Sequence, residues 1–215
     1  DLYDFLPDFG ELERYEGVGQ PLYLEIYKER LKAVGLYEQW KEFFEATGKF
    51  AIDCYKRELE AALRSKELSG FQLLDLQDFP GQCVALVGVL NAWMESKGLI
   101  TAKEWRNFCN DVVILGEIES FVVEEGENIH IPVKISNSKP EVFHGKQLVY
   151  SVQAGEESLA EGVLDIPTSN ERVYLIGTVQ FTVPKLAKAQ KVQVKLQIAG
   201  SEYENAYTLW AYPKM

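Results

Sequence analysis

From residue 111 onward, apolar side chains fall on alternate positions. The pattern runs through Ile129, Ile131, Val133 and Ile135, then Leu148, Tyr150 and Val152, then Val179, Phe181 and Val183. It returns in Val192, Val194, Leu196 and Ile198 and again in Tyr207, Leu209 and Ala211. A period of two marks strands with one face in a core and the other in water. Turn signals such as Glu125-Gly126-Glu127 and Gly200-Ser201 separate these runs. About seven strands in roughly 100 residues are expected, the size and rhythm of an immunoglobulin-like β-sandwich. Residues 111–215 are therefore assigned to an all-β domain.

Residues 1–110 read differently, as a helical α/β segment. Pro21 can open a helix to about Val34, with Leu22, Ile26, Tyr27 and Leu31 along one face and Gly35 as its stop. A second helix is expected over Tyr37 to Thr47, with Trp40, Phe43 and Phe44 as its apolar side. A third is expected from Phe50 to Ser65, carrying Ile52, Tyr55, Leu59 and Leu63. Thr101 followed by Glu104 is a capping box that opens a short helix ending near Cys109.

Between them lies Ser69 to Gly98. Leu73, Leu74 and Leu76 form a short apolar run without alternation, the pattern of a strand buried on both faces. Gln77, Asp78 and the Pro80-Gly81 breaker follow, then an expected helix over Ala85 to Glu95 closed by Gly98. Strand, polar loop and helix make one βα unit, and in barrels of such units the chemistry sits at this strand end. A lone parallel strand needs ladder partners, and the first 110 residues offer no second convincing one.

The formal net charge of -11 argues against nucleic acid or an anionic membrane as partner, since both demand clustered Lys and Arg. No apolar run approaches the roughly 20 residues that span a bilayer. Cys54, Cys83 and Cys109 are widely spaced and read as ordinary buried thiols. Neither His130 nor His144 has a second ligand-type residue at metal spacing. No metal or cofactor is expected, and there is no Gly-rich phosphate loop, nucleophile elbow or zinc-protease motif. Asp1 reads as a processing point or boundary, which would hide any export signal.

The run Phe71-Gln72-Leu73-Leu74-Asp75-Leu76-Gln77-Asp78-Phe79-Pro80-Gly81-Gln82, with Ala85-Leu86-Val87-Gly88-Val89-Leu90 and Ser96-Lys97-Gly98, resembles the last strand and helix of the catalytic (β/α)8 barrel in family 2-type glycoside hydrolases, particularly the large β-galactosidase-like enzymes. Pro7-Asp8-Phe9 and Tyr15-Glu16-Gly17-Val18 resemble the excursion after the seventh barrel strand. Tyr207-Thr208-Leu209-Trp210-Ala211-Tyr212-Pro213 resembles the closing strand of the following sandwich. Cys83 stands where Gly is usual, Asn91 where Asp is common, and Trp93-Met94-Glu95 replaces Phe-Trp-Asp. The resemblance implies hydrolysis of terminal β-glycosidic bonds of a carbohydrate by two Glu carboxylates roughly 5 Å apart. Both would lie before Asp1, in the upstream part of the same barrel, leaving no catalytic residue here. Export to the periplasm or cell surface is implied by the resemblance alone.

Within the chain, Gln77 and Asp78 are the candidate substrate contacts, as polar groups at the barrel rim. Asp75 and Asp78 could suggest an acid/base pair, but three residues apart on a strand they point to opposite faces. Tyr3, Phe5, Phe9 and Tyr15 could stack on a sugar or pin a loop to the core. Trp93, Trp105 and Trp210 are expected to pack in cores. Three readings result: an inactive C-terminal fragment of a glycosidase, a carbohydrate- or protein-binding module, and a self-sufficient enzyme using Asp75 or Asp78 with an acid from the first loop.

Overall fold

The computed structural model describes residues 7–17, 20–74, 76–79, 85–139, 143 and 145–214. The chain divides into two units, one of residues 1–59 and 71–105, the other of residues 60–70 and 106–215.

The second unit is a β-sandwich. Its strands among the described residues are β1 (Val112–Gly116), β2 (Val122–Glu124), β3 (Asn128–Asn137), β4 (Gln147–Ala154), β5 (Glu157–Asp165), β6 (Val173–Thr182), β7 (Gln190–Ile198) and β8 (Glu204–Tyr212). One sheet has the order β1-β3-β6 and the other β2-β8-β7-β4-β5. The alternating residues read from the sequence meet between the sheets: Ile131, Val133, Ile135, Leu148, Val152, Val179, Val192, Val194, Leu196, Ile198, Leu209 and Ala211 are buried together. About seven strands are expected and eight are described; the shortest, β2, has three residues. Three residues are too few to show alternation, and they join the sheet by parallel pairing of Val122 with Trp210.

A polar node is buried beside this core. Glu60, in the part of helix α2 (Trp40–Arg64) that belongs to the second unit, is 2% exposed. Asn205 Nδ2 donates to Glu60 Oε1 at 2.8 Å and to the Ile114 carbonyl at 2.7 Å. The Tyr207 hydroxyl donates to the Glu60 carboxylate at 3.1 Å and accepts from Gly116 N at 2.9 Å. Arg64 adds bonds to Glu60 at 2.9 Å and to the Gly116 carbonyl at 3.1 Å. Burial, with the Glu60 charge behind it, holds the Tyr207 phenol far above its usual range, so it stays a donor. Gly116 must be glycine, because a Cβ there would stand 2.9 Å from the Tyr207 ring.

The first unit holds helix α1 (Leu22–Ala33), most of α2 and α3 (Ala102–Arg106). Phe9, Leu12 and Leu24 form a small core with Leu31, Tyr37, Trp40 and Leu86 around it. The capping box is present: Thr101 N and its hydroxyl both donate to Glu104, whose N–H donates back to Thr101 Oγ1 at 3.2 Å.

Several expectations are corrected here. The second and third helices are one helix, α2, continuous through Gly48. Thr47 stays inside it by donating its hydroxyl to the Phe43 carbonyl at 2.7 Å, the back-bond available to a helical threonine. On α1 the buried residue is Leu24, while Leu22, Ile26 and Tyr27 are exposed. The apolar run Leu73, Leu74 and Leu76 forms no strand. Among the described residues, the backbone beside it makes isolated bridges, Gln77 with Leu90 and Phe79 with Ala85. Ala85 to Glu95 forms no helix either, since Asn91 Oδ1 takes the N–H groups of Trp93 (3.0 Å) and Glu95 (2.9 Å) into a turn. Trp210 is not in the sandwich core: it stands on the outer phase of β8, 45% exposed. Cys54 and Cys109 are half-buried rather than buried.

Replacing Tyr207 by Phe strands the Gly116 N–H and removes a donor from Glu60. Urea unfolding should show a loss of about 1–3 kcal/mol; unchanged stability would mean the hydroxyl holds nothing.

Candidate functional site

The residues singled out at Gln77 and Asp78 sit in a short bridged segment of the first unit. Leu90 N donates to the Leu76 carbonyl at 3.1 Å, and Asp78 N donates to the Leu90 carbonyl at 3.0 Å. Phe79 and Ala85 exchange both backbone bonds at 3.1 and 2.9 Å. Gly88 makes the approach possible. A Cβ there would lie 2.2 Å from the Gln77 carbonyl carbon and 2.3 Å from Asp78 N, a backbone clash no rotamer relieves.

Asp78 is 1% exposed and Gln77 half-buried. Asp78 Oδ1 accepts from Gly88 N at 3.0 Å and from Lys97 Nζ at 2.7 Å. The Lys97 side chain is itself 4% exposed. Burial pushes the Asp78 carboxyl above its usual range and the Lys97 ammonium below its own, and the ion pair opposes both shifts. A carboxylate held by a buried lysine and a backbone amide organises its surroundings. It meets no ligand unless the segment opens.

A second cluster joins the loop around residues 11–15 to residues 91–95. Asn91, 2% exposed, donates to Glu11 at 2.6 Å and to Glu95 at 2.9 Å. Arg14 grips Glu95 with two bonds, at 2.6 and 3.1 Å, and lies 3.9 Å from the centre of the Trp93 ring. Tyr15 meets that ring at 4.7 Å between centroids, tilted by 55°. Burial, with help from the Asp78 charge, raises the Tyr15 phenol to about 12. The Arg14 and Asn91 bonds lower Glu95 to about 2. Glu95 is thus taken up by Arg14 and Asn91, which hold its carboxylate in the charged form. An Asp at position 91 would face Glu11 and Glu95 with a third carboxylate, so the amide suits this cluster.

Phe9 is buried against Tyr37 at 5.9 Å and Trp40 at 5.8 Å, which pins its loop. Trp93 has Arg14 and Tyr15 on it, and Trp105 meets Tyr55 edge-on at 6.1 Å. His130 is exposed on the polar phase of β3. Tyr3, Phe5, Asp75, Cys83 and His144 lie outside the described residues. Among the described residues no group of three metal-ligand side chains converges, and no helix is long and apolar enough to cross a membrane. Sequence reasoning missed Lys97 as partner of Asp78, because a contact across a loop leaves no periodic trace. It also missed Asn91 as an anchor, although the Asn91 to Glu95 spacing was visible and was read as helical.

Two predictions follow from these geometries. Asp78→Asn removes the Asp78 charge from the buried Lys97 and should cost about 3–5 kcal/mol, while Asp78→Leu with Lys97→Met should recover most of it. If chemical denaturation finds the double variant no better than the single, the buried charge is not the cause. Glu95, with its folded pKa depressed, contributes stability above its ordinary value that is lost as pH falls toward about 2. Carboxyl NMR should place its midpoint near 2; a midpoint at the ordinary carboxylate value would remove the Arg14 clamp from the account.

The profile of a family described only as a domain of unknown function, DUF8488, matches residues 127–213. No curated protein matches the chain. Among solved structures, domain 1 of VCBP3 from Branchiostoma floridae is similar at 10% identity and TM-score 0.32, over 48% of this chain and 96% of that one. A β-glucuronidase of Parabacteroides merdae is similar at 12% identity and TM-score 0.34, over 78% of this chain and 21% of that one. A β-glucuronidase of Bacteroides uniformis is similar at 13% identity and TM-score 0.29, over 77% and 20%. The chain spans about a fifth of the length of these two enzymes.

Proposed function

We propose that this chain is the C-terminal part of a family 2-type glycoside hydrolase, its first unit completing a catalytic barrel and its second an immunoglobulin-like sandwich. The observation that carries the proposal is the exposure of residues 71–74 and 76–79. Phe71, Leu76 and Phe79 are each more than two-fifths exposed and Leu74 is 78% exposed, in a segment with the composition of a strand buried on both faces. An apolar segment of this kind is stable in water only when neighbouring strands take up its amides and cover its side chains. The upstream strands of the same barrel are the neighbours that the resemblance supplies.

In this reading the whole enzyme cleaves terminal β-glycosidic bonds with two glutamates contributed from outside this chain, and the chain alone hydrolyses nothing. Asp78, the carboxylate at the candidate rim, is closed off and ion-paired to Lys97. Gln77 offers the polar contact at the sugar-facing rim, and Asp78 positions it through Gly88 and Lys97. Export to the periplasm or cell surface belongs to the same reading.

The tests are direct. The native gene product in its source cells should weigh several times 24.4 kDa, and a product of this size would end the fragment reading. Leu74→Ser should change the stability of this chain by less than about 0.5 kcal/mol, because the side chain already meets water. In the longer protein the same change should cost about 2–4 kcal/mol, as for any buried leucine. Equal effects in the two proteins would show that residue 74 gains no cover.

A further inference from the structure

The outer face of the five-stranded sheet departs from an ordinary solvated surface. Burial alternates along β8, so Thr208, Trp210 and Tyr212 share the outward phase, with Trp210 45% and Tyr212 44% exposed. Register sets Gln153 of β4, Gln193 of β7 and Thr208 of β8 side by side in one row. Gln193 Nε2 donates to Thr208 Oγ1 at 2.9 Å, which fixes the middle of that row. The two rings stand on the adjoining stretch of β8, about 7 Å apart along the strand. A row of amides and hydroxyls thus borders a pair of open aromatic rings.

We propose that this face is a binding platform for a neutral polysaccharide chain, with Trp210 and Tyr212 stacking on sugar rings and the Gln153-Gln193-Thr208 row bonding their hydroxyls. A pyranose has an apolar C–H face and an edge crowded with donors and acceptors. Aromatic rings match the first and amide groups, which both donate and accept, match the second. A protein partner would instead call for a dry, apolar centre. Here the middle of the face is the Gln153-Gln193-Thr208 row followed by Lys195 and Glu161, and the exposed Val122, Val149 and Val163 stand apart at its two ends. Charge selects the neutral class. Glu124, Glu161 and Glu204 share the outward phase with Lys191 and Lys195, so the face carries no positive excess for an acidic sugar. Lys191 lies over the Trp210 ring at 4.8 Å. Its long flexible stem lets it leave the ring to a sugar and bond a hydroxyl beside it.

The platform needs no residue of the first unit and stands whether or not the chain belongs to a hydrolase. A small native product, which would end the fragment reading, leaves it untouched. The test is calorimetric titration of the intact chain with neutral hexasaccharides of glucose, xylose, mannose and galactose, and with an oligogalacturonate. At least one neutral hexasaccharide should bind and perturb the tryptophan emission. Trp210→Ala should weaken that binding about tenfold, since it removes a stacking ring. Gln193→Ala should weaken it about threefold, the effect of one neutral hydrogen bond. Trp93→Phe should leave it unchanged. All three variants should keep the wild-type circular dichroism in the sandwich, which separates lost binding from lost fold. The proposal is overturned if no neutral hexasaccharide binds at millimolar concentration, if binding survives Trp210→Ala, or if only the oligogalacturonate binds.

Discussion

A backbone amide withdrawn from water must find an acceptor, and this single requirement orders the whole molecule. In the second unit it is met strand by strand. β3 has partners on both sides in β1 and β6, and β7 has them in β4 and β8. Side chains can therefore leave water without stranding the backbone beneath them. The described residues between 71 and 79 of the first unit meet the same requirement only in part. They bridge to Leu90 and Ala85 where they can and leave Leu74 in solvent.

Where charge is buried, the structure surrounds it with several partners. Glu60 receives Asn205, Tyr207 and Arg64 at once. Asp78 receives Lys97 and the Gly88 amide. Buried ion pairs seldom add net stability, because desolvation offsets most of the attraction. Their effect is on uniqueness: an alternative packing that parted Asp78 from Lys97 would leave two charges unpaired in an apolar setting. Gly88 and Gly116 serve the same ends by their lack of a side chain, the one admitting the Gln77–Asp78 backbone and the other the Tyr207 ring.

The two units also differ in how they treat exposed apolar groups. On the sandwich, Trp210 and Tyr212 are open beside amides and hydroxyls, an arrangement suited to a ligand with both characters. In one segment of the first unit Phe71, Leu74, Leu76 and Phe79 are open close together in sequence, an arrangement suited to burial against protein. The contrast separates a surface built for water and solute from a segment whose composition anticipates cover.

Much of the sandwich was legible in the residues, because a period of two survives any change of partner. The inward residues of β3, β4, β6, β7 and β8 could be named from alternation, as could the Thr101–Glu104 capping box, whose bonds span three residues. Trp210 was misjudged because aromatic character says nothing of phase, although its neighbours Leu209 and Ala211 already placed it on the outer side. The Ala85–Glu95 helix was misjudged because Asn91 competes for the same amides by its side chain. The candidate site was the least legible part, since Lys97 meets Asp78 and Arg14 meets Glu95 across loops. The sequence by itself determined which residues of the sandwich face inward and where turns fall, since both depend on local stereochemistry and alternation. Only the tertiary structure decided that Leu74 stays in solvent, that Asp78 is closed off by Lys97, and that Trp210 lies open. Each of these depends on which distant segment comes near, and no local pattern encodes that.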